Sequence, residues 1–140
     1  MLVVNWQGGM AFEADPPSGN RFVMDAIPEF GGEGKGPSPV EAFLASAAAC
    51  SAMDVIGILE KKRQKVNGYR IEVEWQRDPP GTWPRPILSI TVRHVLVGEG
   101  LDPDAVAKAV ELSDTKYCTV IATLRQPPTV RSEYVVQEST

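Results

Sequence analysis

The 140-residue chain has a single histidine, His94, and only two cysteines, Cys50 and Cys118. One histidine, two distant thiols and scattered carboxylates offer no recognisable metal-ligand spacing, so no metal centre is expected. A Ser–His–Asp elbow motif and a dinucleotide glycine pattern are also missing. The glycine-rich run from Phe30 to Pro37 is no phosphate loop, because that spacing needs glycine where Glu29 stands and a hydroxyl where Gly36 stands. Positive charge is in deficit: 14 Lys and Arg against 18 Asp and Glu give a net charge of −4. The one compact basic cluster, Lys61, Lys62, Arg63 and Lys65, falls at a predicted helix end, where cations complement the helix dipole. No nucleic-acid partner is expected. The first nine residues lack the basic and apolar regions of a secretory signal, and Ser46, Ser51 and Asp54 interrupt the longest apolar stretch. A soluble, cytoplasmic protein with no membrane partner is the expectation.

A chain of this length with 43% apolar residues fits one domain over residues 1–140. Alternation at Leu2, Val4 and Trp6, the Gly8-Gly9 turn, a run from Met10 to Ala14 and a strand over Arg21–Ala26 predict an opening β-meander. The Phe30–Pro37 segment reads as a flexible loop. Ser38, Pro39 and Glu41 then form a capping box with proline at the first helical position, opening a long helix to about Gln64. Its Ala45–Ala49 stretch has a thin surface that another backbone can approach closely. Strands follow around Tyr69–Trp75 and Leu88–Arg93, then a helix from Asp102-Pro103, a turn at Ser113–Thr115, a helical Val120–Leu124 and a last strand over Thr129–Gln137. This order implies an α+β fold with antiparallel sheet. So apolar a central helix needs cover on more than one side, and a second subunit would supply it, predicting a homodimer.

Cys50 lies about three turns inside the helix, where the dipole of the N-terminus has faded, so a reactive thiolate there needs a cation from elsewhere. Arg21, just past the Gly19-Asn20 turn, is the arginine candidate. Glu41 is first a capping residue, although a carboxylate there could also orient an arginine by a bidentate pair. Asp54, one turn beyond Cys50, would oppose thiolate formation if ionised and close. His94 falls in the strand phase of Leu88, Ile90 and Val92, which suits a hydrogen-bonded core or interface histidine.

Taken together, Ser38-Pro39-Val40-Glu41 leading through small residues to Cys50, then Ser51-Ala52-Met53-Asp54-Val55-Ile56, and a second cysteine in Lys116-Tyr117-Cys118-Thr119-Val120-Ile121-Ala122, resemble the OsmC/Ohr family of thiol-dependent hydroperoxide reductases. The likeness spans essentially the whole chain and is greatest to the divergent OsmC-like branch. It implies an OsmC-like fold, an antiparallel sheet wrapped around a long central helix in an intertwined homodimer, with active sites at the subunit interface. It further implies that Cys50 is the peroxidatic and Cys118 the resolving cysteine, that Arg21 activates the thiolate, and that an external dithiol is the reductant with no cofactor. Two departures stand out: Val40 occupies the position of the Ohr-type glutamate, leaving Glu41 about 100° further around the helix, and the Cys-Pro-Tyr sequence of Ohr proteins is absent around Cys118. The alternative is an OsmC-fold protein that binds a small apolar ligand or serves as a redox switch.

Overall fold

A computed structural model describes residues 1–139. Strands β1 (Val3–Trp6), β2 (Phe12–Asp15) and β3 (Phe22–Met24) form an antiparallel three-stranded meander, as the alternation and turn glycines predict. This arm does not pack as a layer on the rest of the chain, and Val4, Trp6, Phe12 and Phe22 stay exposed. The segment that follows is better held than its composition suggests. Gly32 and Gly36 let backbone approach backbone so closely that a Cβ would meet the Ala26 or Val23 carbonyl oxygen at 1.5 and 2.0 Å. The buried carboxylate of Asp25 accepts the backbone N–H groups of Ala26, Glu33 and Lys35 at 2.8, 2.9 and 3.2 Å. The expected flexible loop is therefore a pinned one.

Helix α1 (Pro39–Lys61) opens at the expected cap: the Ser38 hydroxyl accepts the Glu41 N–H at 3.2 Å, and Glu41 Oε1 accepts the Ser38 N–H at 2.9 Å. It stops one turn short of the predicted end. Arg63 takes a left-handed φ of 56°, and the Gln64 N–H returns to the Leu59 carbonyl, closing the helix with a Schellman-type turn that has no glycine to announce it. Asn67-Gly68, read from sequence as the stop, lie inside the next strand at a register shift. By length and composition α1 could cross a bilayer, contrary to the expectation from its polar interruptions. Its tertiary contacts are those of a core helix. It packs against α2 (Pro103–Leu112), α3 (Thr119–Arg125) and the antiparallel hairpin of β4 (Lys65–Arg77) and β5 (Ile87–Glu99).

The main core is the fully buried trio Val55, Leu59 and Ala109, joining α1 to α2, with Val66, Tyr69 and Leu96 of the hairpin around it. Burying a side chain such as Leu59 contributes about 1.5–3 kcal/mol. A five-residue π-type turn, Ser113–Tyr117, links α2 to α3 and turns Ser113 into the core and Cys118 to the start of α3. The α+β class is as expected, with two separate antiparallel sheets. The Thr129–Gln137 segment differs from expectation: it has no strand pairing, and Val130, Tyr134, Val135 and Val136 are more than 80% exposed. A strand needs a neighbouring edge, and among the described residues none meets it.

Candidate active site

Two adjacent residues of α1 serve different neighbourhoods, because successive side chains diverge by about 100°. Cys50 faces the start of α3. There it neighbours Cys118, close enough for each thiol to feel the other's charge. Cys118 is buried and Cys50 half-buried, and both are free thiols. Burial is the main cause that raises the Cys118 pKa, and the neighbouring Cys50 adds to it against the opposing effect of the Ile121 N–H. Cys118 thus keeps its proton, as the less exposed member of the pair. Its sulfur accepts the Ile121 N–H at 3.5 Å and so caps α3.

Arg21 and Glu41 lie apart from this pair within the chain. Arg21 sits at the base of β3, exposed, with Nε 3.3 Å from Asp15 Oδ1 and Nη1 3.8 Å from Glu13 Oε1. Glu41 is occupied at the helix cap, where the Ser38 backbone N–H and hydroxyl lower its pKa. It also borders a groove of about 480 Å³ between the first turns of α1 and the Ile71, Val73 and Trp75 side chains of β4.

Ser51, the neighbour of Cys50, points instead toward β5 and the π-type turn. His94 Nδ1 is 2.6 Å from the Tyr69 hydroxyl and His94 Nε2 is 3.5 Å from Ser51 Oγ. Ser51 Oγ is 3.1 Å from Ser113 Oγ, which is 3.0 Å from Asp54 Oδ2. Sequence reasoning placed His94 correctly on the apolar face of its strand but did not single out Tyr69, Ser51 or Ser113. Only the i, i+3 spacing of Ser51 and Asp54 on one helix face hinted at a shared polar spot. Desolvation lowers the His94 pKa, with Asp114 opposing. Burial also pushes the Tyr69 phenol up to about 12. Asp54 therefore engages Ser113 in a polar chain of its own.

A family model described as OsmC-like protein matches residues 32–133, which is most of the chain. The protein belongs to the OsmC family. Among curated relatives, protein YhfA of Escherichia coli K12 is 36% identical over 134 residues, covering 95% of each chain. A solved structure described as a hypothetical protein from Aquifex aeolicus VF5 is similar at 28% identity, with a TM-score of 0.76 and coverage of 91% of this chain and 87% of that one. An organic hydroperoxide resistance protein OsmC from Legionella pneumophila shares the fold at a TM-score of 0.64 and 16% identity, covering 90% of each chain. This member of the OsmC family has the family's α+β architecture, and its two cysteines fall within the matched region.

Proposed function

We propose that this OsmC-family protein is a thiol-dependent peroxidase that reduces organic hydroperoxides in the cytoplasm through Cys50 and Cys118. The observation that carries the reading is the meeting of the chain's only two thiols, one half-buried and one buried, across the α1–α3 contact. The hydroperoxide resistance name of the Legionella structure supports it by likeness of fold. In the cycle, the Cys50 thiolate attacks the terminal oxygen of ROOH, the O–O bond breaks, and the alkoxide leaves with a proton as ROH. Cys50 is then a sulfenic acid. The Cys118 sulfur attacks the Cys50 sulfur, displacing hydroxide, which takes up a proton as water, and a disulfide forms. The peroxide has gained two electrons and the thiols have lost two, which an external dithiol restores. The raised pKa of Cys118 and its burial suit the resolving role, because they keep it protonated and away from solvent until Cys50 has been oxidised.

The protein acts in this reading as a homodimer. The exposed apolar arm β1–β3, the groove between α1 and β4, and the uncovered Ala45, Ala49 and Met53 on α1 are surfaces a second copy would cover. An arm from that copy would deliver the cation that Cys50 needs, with Arg21 its candidate and Glu41 the carboxylate that would orient it. Thiol counting before and after one equivalent of cumene hydroperoxide tests the chemistry. Wild type loses both thiols and Cys50→Ser keeps its one, while a dithiol sustains peroxide consumption by wild type alone. Thiols that stay unchanged, with no consumption under any dithiol, refute the reading. Oxidation without turnover would favour a redox switch.

A further inference from the structure

Ser51 reaches a cavity that the thiol pair does not line. This cavity of about 720 Å³ opens between α1, β5, α2 and α3, with Phe43, Ile90, Val92, Ile121 and Leu124 among its apolar walls. At its polar end stand Ser51 and His94, with Asp114 and Arg125 beside them. Arg125 Nη2 lies 2.7 and 2.8 Å from the two Asp114 oxygens, so the guanidinium is already neutralised by its own neighbour.

The protons of the polar chain can be assigned from its one fixed end. A carboxylate only accepts, so Ser113 donates to Asp54. Ser113 Oγ has then spent its proton and accepts from the Ser51 hydroxyl. Ser51, having donated, accepts from His94 Nε2–H; desolvation lowers the His94 pKa and favours the neutral ring, whose bare Nδ1 then accepts the Tyr69 hydroxyl. The order runs one way, from Tyr69 to Asp54, and holds His94 as the neutral Nε2–H tautomer. Every link is short except the one from Nε2 to Ser51, at 3.5 Å. A hydrogen bond of that length is close to its limit, so this N–H is the donor least engaged by the protein. It stands at the polar end of a cavity whose remaining walls are largely apolar.

We propose that this cavity binds a neutral, elongated apolar molecule bearing a carbonyl oxygen, which accepts the Nε2–H of His94. The apolar walls hold the hydrocarbon, and the volume is that of a small-molecule pocket. A carbonyl suits the site better than a hydroxyl because the free group is a donor, and a hydroxyl, though it too could accept, brings a proton of its own where the Asp114 oxygens are already held by Arg125. It suits the site better than a carboxylate because Asp114 cancels Arg125 and His94 carries no charge. The proposal stands independently of thiol chemistry.

The test is titration of the full-length protein with 2-decanone, 1-decanol and decanoate, followed by the ring nitrogens of His94, the chain's single histidine, in 15N NMR. Before ligand, a protonated Nε2 and a bare Nδ1 are expected; the reverse tautomer overturns the proposal. 2-Decanone should bind saturably and move the Nε2 signal, more tightly than either other probe. His94→Phe should weaken it about tenfold, the loss expected for one hydrogen bond. His94→Gln, whose amide N–H replaces Nε2–H, should restore most of it. Cys50→Ser should bind as wild type does, which separates this site from the peroxidase reading. No saturable binding, a preference for decanoate or decanol, or equal binding by His94→Phe overturns the proposal. Should His94→Phe not fold, the tautomer and the order of the three probes on wild type decide.

Discussion

The sulfur of Cys118 accepts the Ile121 N–H at 3.5 Å, so the thiol that faces Cys50 is also the N-cap of α3. Structural and chemical duties fall on one atom, and substitution can separate them. Serine is among the best N-caps and alanine among the worst. Cys118→Ser should therefore unfold in urea at or above the wild-type midpoint, while Cys118→Ala should lose about 0.5–1 kcal/mol, the low end for a lost cap because sulfur is a weak acceptor. Both should lose the peroxide-driven disulfide. Equal destabilisation by serine and alanine would show that the cap contributes nothing.

The two thiols should also differ in reactivity. Cys118 is 2% exposed and its pKa is raised by burial and by Cys50, whereas Cys50 is half-buried. Because the thiolate is the nucleophile, substoichiometric iodoacetamide at neutral pH should label Cys50 first, since Cys118 is both buried and held protonated by its raised pKa. Peptide mass spectrometry reads the sites directly. Preferential labelling of Cys118 would reverse the assigned roles.

The uncovered face of α1 makes a prediction about mass. Met53 is 71% exposed, close to the exposed Ala45, Ser46 and Ala49 on the helix. Sedimentation equilibrium at micromolar concentration should give twice the 15.2 kDa of the chain. Met53→Lys, which puts a charge into that contact, should raise the dissociation constant about tenfold or more, as loss of a central interface residue does. A wild-type mass of 15.2 kDa would falsify the dimer.

What could be read from the sequence was what neighbours along the chain decide. Ser38, Pro39 and Glu41 specify their cap among themselves, and Tyr69, Ile71 and Val73 alternate because one face of β4 is covered. The end of α1 was misread because Arg63 supplies the left-handed residue where glycine was looked for. The 129–137 segment has a strand's composition, but pairing depends on meeting an edge, and among the described residues it meets none of the open edges of the two sheets. The contact between Cys50 and Cys118, and the chain from Tyr69 to Asp54, join residues from different elements that no periodicity relates. Only the resemblance to the OsmC family suggested the first, and of the second the sequence offered no more than the strand phase of His94 and the i, i+3 spacing of Ser51 and Asp54.

Acid should release the loop that carries the arm into α1. The Asp25 pKa is lowered chiefly by the backbone N–H groups of Glu33 and Lys35, which its Oδ2 accepts at 2.9 and 3.2 Å. A depressed folded pKa means that the unfolded state binds the proton more readily. The stabilisation is thus complete above the unfolded carboxyl range near about 3.9 and is lost as pH falls through the lower folded value. Hydrogen exchange should show the Glu33 and Lys35 amides protected at neutral pH and opening together in acid. Asp25→Asn, with one acceptor oxygen in place of two, should expose at least one of these amides already at neutral pH and flatten the acid response. Protection that persists unchanged through acid, or grows as the pH falls, would mean that Asp25 does not hold the loop. The arm bearing Arg21 would then need another anchor.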